Sequence, residues 1–229
     1  MSTNQDPIYH IARQIETKSA IKQQVYRNNC EAFIQLYKEA HKVIKAIKKQ
    51  VHHKDKDIEL KVTSVNDHEF HVTVAGDLLV FFMHTNVVVL DDKHGYNHSE
   101  QVKDKEDNKY LGQINIYNFM ADTFRFNRLK DPGYLIARMF INVDNHFLVE
   151  GERQLNFMFD KVSQQPLTET DLSVIIQLAI SQCVDNNLVT PAFPSIRVIT
   201  LSQKIEKTMD LGAGYKIGFQ MSYQQDLKS

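Results

Sequence analysis

An α+β fold with a mostly antiparallel sheet is what this sequence predicts, and three patterns predict it. Apolar residues repeat every three or four positions near the N-terminus, every second position through the centre, and again at helical spacing from about residue 171. The strand segments follow one another without a regular βαβ rhythm. That order places a long N-terminal amphipathic helix and a second helix on one face of a sheet of about eight or nine strands. Composition agrees, because 229 residues with 42% hydrophobic and 24% charged side chains can form one core without metal or disulfide support. The expected organisation is a single domain over 1–229, with a basic helical head at 1–56 and an acidic, sheet-rich body at 57–229.

The first helix is expected from about Ser19 to His53, a stretch without glycine or proline. Phe33, Leu36, Tyr37, Ala40, Val43, Ile44, Ile47 and Val51 form one apolar stripe. Lys38, Lys42, Lys45 and Lys49 follow at four, three and four residues and form a second rail on the other side. The apolar stripe is wider than a coiled-coil seam and suits packing on a sheet. At ~1.5 Å per residue this helix is ~50 Å long, so it spans the body, bends or projects. Asn28-Asn29 is its weakest helix-forming spot and the expected place for a bend. His52 and His53 suit the negative end of the helix dipole.

After Asp57 the period becomes two, which predicts strands. Ile58 to Val62 alternates, Asn66-Asp67 turns, Phe70 to Val74 alternates, Gly76-Asp77 turns, and Leu78 to Met83 is apolar on both faces, as a central strand is. Val87 to Leu90 reads as a further strand, and the polar stretch 91–108 reads as a long exposed loop. Strands are expected again over Tyr110 to Met120 and Thr123 to Arg128. A hairpin should follow Asp131-Pro132-Gly133, with arms Tyr134 to Val143 and His146 to Gly151 around an Asp144-Asn145 turn. Its second arm is expected to continue as a strand from Arg153 to Phe159. Pairing Val143 with His146 sets Arg138 and Arg153 on the core face beside Ile136, Phe140 and Val149, and Glu150, Glu152 and His146 on the other. Thr168-Glu169-Thr170-Asp171 signals the start of a helix that ends near Asp185 before Asn186-Asn187. Ser195 to Leu201 and Tyr215 to Tyr223 are strand-like.

The chain carries a formal net charge of -1, which excludes a binder whose whole surface has one sign. Division sharpens this: residues 1–56 hold eleven Lys and Arg against five Asp and Glu, a balance of +6, so the remainder carries -7. Two cysteines, Cys30 and Cys183, without metal-finger spacing argue for a reducing compartment, and a cytoplasmic location is expected. The polar start of the chain lacks the features of a secretory signal, and no apolar run is long enough to span a bilayer. No dinucleotide, P-loop, hydrolase-elbow or zincin motif occurs, so no cofactor is expected.

These patterns favour a non-catalytic, cytosolic protein-interaction or assembly subunit using its long basic helix and sheet surface. Its lysine rail suits an acidic protein surface or another copy of the chain, and lacks the aromatic and arginine residues of a nucleic-acid reader. A small-anion or nucleotide site is the alternative, because Arg138 and Arg153 on an apolar face need a carboxylate, a carbonyl or an anion. A hydrolase-type enzyme would use Glu150 and Glu152 with His146 as paired acid and base. His94 and His98, near Asp91, Asp92 and Glu100, are the candidate metal ligands, although Gly95 disfavours the helix that would bring them together. Cys183 on the second helix reads as packing.

Overall fold

The computed structural model describes residues 7–51, 54–55, 57–186, 188–189, 201–202 and 215–216. Its first helical segment is α1 (Pro7–Gln14), which passes through one π turn (Ile15–Ser19) into α2 (Ala20–Val51). Proline suits the first position, where its missing N–H costs nothing. Within the π turn the Thr17 hydroxyl donates to the Arg13 carbonyl at 2.8 Å. The rod therefore begins about a dozen residues before the expected Ser19, and its irregularity lies at 15–19 rather than at Asn28-Asn29. Both asparagines are buried in an unbroken helix because their amides reach the sheet. Asn28 Nδ2 donates to the carbonyls of Asn142 and Val143 at 3.1 and 2.9 Å, and Asn29 Nδ2 to that of Gln113 at 3.4 Å. Gly112 makes the close approach possible, since a Cβ there would lie 2.5 Å from the Asn29 side chain.

Beneath the rod lies a six-stranded antiparallel meander: β1 (Leu60–Asn66), β2 (Glu69–Val74), β3 (Asp77–Met83), β4 (Gly112–Met120), β5 (Tyr134–Ile141) and β6 (Phe147–Gly151), paired in chain order. The eight or nine strands expected are thus too many for this sheet. Val87 to Leu90 contributes only a bridge between Val88 and Leu111. Thr123 to Arg128 largely forms a short helix, α4 (Ala121–Arg125), and Arg153 to Phe159 holds another, α5 (Gln154–Phe159). In α5 the packing partners are Leu155 and Phe159, four apart, while Phe157 between them is 86% exposed, so the alternation there was a helical spacing in disguise. A two-residue pair, β7 (Leu188–Val189) with β8 (Tyr215–Lys216), stands apart from the main sheet. The strand expected at Ser195 to Leu201 and the rest of Tyr215 to Tyr223 lie outside the described residues, except for Leu201, as do His52 and His53.

The main core forms between the sheet and two helices, α2 and α6 (Glu169–Asp185). Phe33 and Tyr37 of α2 place their rings 5.2 and 5.3 Å from Phe70 on β2, which stacks on Phe81 of β3 at 4.5 Å. Helix α6 contributes the expected Leu172, Ile175, Ile176, Ala179 and Cys183. Its capping box is complete: Thr168 Oγ1 accepts from the Asp171 N–H at 3.2 Å, and Asp171 Oδ2 accepts from the Thr168 N–H at 3.0 Å.

Two expectations about the far end of the sheet are corrected. The β5–β6 hairpin pairs Ile141 with Phe147, Phe140 with Leu148 and Arg138 with Glu150, one residue from the expected register. Asn145 takes a left-handed conformation (φ 62°), and Asn142 bonds to His146, so three residues turn instead of two. A one-residue shift reverses the facing of one arm against the other. Met139 and Ile141 accordingly face the helices with Val149, while Phe140 and Leu148 face outward. The second correction concerns 91–108, which is not a structureless exposed loop. It folds as two 3-10 turns (Gly95–His98 and Glu106–Lys109) around α3 (Glu100–Asp104), and it buries Tyr96 against Leu111, Phe140 and Leu148. That second, smaller core is what the outward Phe140 and Leu148 serve.

Candidate functional site

The corrected register brings together three residues that sequence reasoning had assigned to three separate chemistries. Arg138 and Glu150 are cross-strand partners on the outer face, and the guanidinium Nη2 donates to Glu150 Oε2. His94, at the start of the first 3-10 turn, contacts the other oxygen, Oε1, through Nε2 at 2.8 Å. Its Nδ1 accepts the Tyr96 backbone N–H at 3.1 Å, so the ring proton belongs on Nε2 and the imidazole donates to the carboxylate. Arg138 also lies over the Phe140 ring, 5.3 Å from its centroid. Glu150 is therefore held between two donors, and the Arg138 charge already has its counter-ion.

The neighbouring hollow, lined by Leu135, Ala137, Gly151 and Glu152 among others, measures about 170 Å³. That is below the ~300 Å³ at which small-molecule sites begin. Arg153 does not complete a clamp with Arg138: it is exposed, at φ 52°, where it ends the strand and starts α5. Glu152 turns to α6, accepting from Gln182 Nε2 at 3.3 Å, and burial raises its carboxyl above the ordinary range despite the nearby Arg153. His146 is engaged elsewhere, its Nδ1 2.8 Å from the Ser163 carbonyl oxygen. His98 is exposed at the end of the same 3-10 turn, four residues after His94. Among the described residues no group of three or more His, Cys, Asp or Glu side chains could share a metal ion. Burial pushes the Cys183 thiol up to about 12, which leaves it a packing group.

The larger exposed features belong to the rod and to the opposite side of the sheet. Lys38, Lys42, Lys45 and Lys49 are all exposed, but Lys42 is tied to Glu39 at 2.6 Å and to Glu169 of α6 at 3.2 Å. Open grooves of about 450 and 380 Å³ run along either side of Ile34, one against α6 and one against the β1–β2 turn. Every residue from Pro7 to Ala20 is exposed, including Ile8 (73%), Ile11 (55%) and Ile15 (60%). Sequence reasoning missed this extension, although Pro7 at a helix start and three isoleucines at 3/4 spacing were readable signals.

Across the sheet from α2, Phe124 packs edge-on against His71 of β2 and Phe119 of β4, at 5.0 and 5.3 Å. Phe126 and Leu129 beside it are exposed. A buried bond from Thr123 Oγ1 to Asp131 Oδ2 at 2.7 Å and an ion pair from Arg128 to Asp131 at 3.2 Å hold this corner rigid. No protein-family model, curated protein or solved structure matches the chain, so its surfaces are read from their own chemistry.

Proposed function

We propose that the chain is a non-catalytic interaction or assembly subunit with two contact surfaces, the N-terminal rod and the corner at Phe124–Leu129. What carries this reading is two of the places where exposed large apolar side chains gather, a further adjacent pair being Phe157 and Met158 on α5. Ile8, Ile11, Ile15 and Ile34 lie along the rod, and Phe124, Phe126 and Leu129 lie on the sheet face turned away from it. Exposed apolar clusters of this kind mark contact sites, whereas single exposed apolar residues do not. Several polar residues considered as site groups, by contrast, are engaged within the fold: Arg138, His94 and Glu150 hold one another, and Lys42 holds Glu39 and Glu169. Cross-linking of the full chain in extracts of its own cells, read alongside light scattering of the pure protein, tests the reading. Cross-links or self-association that map to 8–15 or 124–129, and that vanish with Phe126→Asp and Leu129→Asp or with Ile11→Asp, support it. A strict monomer whose cross-links avoid both surfaces overturns it.

A further inference from the structure

The direction in which α1 presents its isoleucines follows from helix geometry. At ~100° per residue Ile8, Ile11 and Ile15 fall within about 60° of one another. In a regular helix that stripe would lie about 45° from the buried face of α2, defined by Val25, Leu36, Ala40 and Val43. The π turn at Ile15–Ser19 adds about one residue to its turn and rotates α1 by roughly 100°. The stripe then points about 140° away from the sheet-facing side of α2. The same outward side of α2 carries Arg27, Ile34, Lys38 and Lys45, all exposed. Its position is confirmed independently by the two grooves, which flank Ile34 on the α6 side and the β1–β2 side.

We propose that this outward side is a seat for an anionic lipid bilayer surface, with the isoleucines of α1 entering the headgroup boundary and the cations of α2 lying over the phosphates. The inference rests on the rod being a contact element, and it names the surface that the rod fits. From Pro7 to Val51 the rod is about 65 Å long at ~1.5 Å per residue, with apolar insertion at one end and positive charge towards the other, all on one side. A flat, negatively charged surface with an apolar interior matches it along its whole length. Charge complementarity also fixes the orientation. The chain's net charge of -1 gives no overall attraction, but the outward side of α2 gathers three exposed cations, Arg27, Lys38 and Lys45, which gives it a local positive balance. Glu31 lies on the same side, four residues after Arg27 and three before Ile34, and offsets one of its three cations.

Co-sedimentation of the full chain with vesicles tests the proposal, using phosphatidylcholine alone and phosphatidylcholine with about 30% phosphatidylserine. Binding should be more than about tenfold stronger to the anionic vesicles and should weaken with salt. Ile8→Asp with Ile11→Asp, and separately Lys38→Glu with Lys45→Glu, should each remove it while circular dichroism stays unchanged, because all four residues are exposed. Deletion of Thr17 is the sharpest variant: it restores a regular helix, turns the stripe by about 100° and should abolish binding without altering charge or apolar content. The chain has no tryptophan, so Ile11→Trp supplies a lone fluorophore whose emission should shift to the blue on anionic vesicles. Equal binding to neutral vesicles, no binding at all, or binding that survives the Thr17 deletion overturns the proposal. If vesicles are ignored while the Ile11→Asp substitution still removes cross-links or self-association, the partner is a protein, and the interaction reading stands without this inference.

Discussion

Asn142 is fully buried, and its side-chain amide and backbone carbonyl together join three segments far apart in the chain. Its Oδ1 accepts the N–H groups of Asp144 and His146 at 3.0 and 2.9 Å, its Nδ2 lies 3.4 Å from the Tyr96 hydroxyl, and its carbonyl receives Asn28 of α2. Asn142→Ala leaves the part-buried N–H groups of Asp144 and His146 without their acceptor and removes the contact to Tyr96, so urea unfolding should show a loss of about 2–3 kcal/mol, beyond what one hydrogen bond contributes. Tyr96, whose hydroxyl burial pushes up to about 12, should lose protection from hydrogen exchange in the same variant. Glu152 gives a pH-dependent counterpart. Its folded-state carboxyl is raised by burial, so the stability it contributes is complete below its unfolded pKa and is lost as pH rises through the folded one. Glu152→Gln keeps an acceptor for Gln182 and should raise the melting temperature by about 1–2 °C at pH 7, with no gain near pH 4. A gain that is the same at both pH values would mean that ionisation at this position is not the cause.

At the scale of elements, what could be read in the sequence was what local chemistry decides. Helix α6 was legible because Thr168 and Asp171 cap it reciprocally, and Thr168→Ala should cost about 1 kcal/mol in denaturant unfolding. The turns at Asn66-Asp67 and before Tyr134 were legible for similar reasons. Gly133 is also needed for space, since a Cβ there would lie 1.9 Å from the Phe119 ring, and Gly133→Ala should lower soluble yield and melting temperature sharply. Features set by distant residues were not legible. The left-handed Asn145 lengthened the hairpin turn by one residue and moved Arg138 from the core face to a pairing with Glu150. Segment 91–108 looked like open loop because the partners that order it, Phe140 and Leu148, lie about forty or more residues later. The candidate site suffered most: His94, Arg138 and Glu150 were each noticed, but for different roles, because only the true register brings them into contact.

On the scale of the molecule, the rod sets a dimension that the body does not. A compact chain of 229 residues has a radius of gyration near 17 Å, whereas the exposed stretch from Pro7 to Ala20 adds about 20 Å of helix beyond the first buried turns of α2. Small-angle scattering should therefore give a radius of gyration clearly above 17 Å, and removal of residues 1–19 should shorten the longest dimension by about 20 Å. An unchanged value would mean that the extension folds back in solution. The meander has a consequence of another kind. Each strand of the main sheet pairs with the one before it in the chain, so the longest wait for a pairing is the folded segment 84–111 between β3 and β4. The sheet can zip up in the order in which a ribosome releases it, with α2 already present as the surface it closes against. Docking of α6, whose Glu169 meets Lys42 from 127 residues away, is then the late, long-range step that completes the molecule.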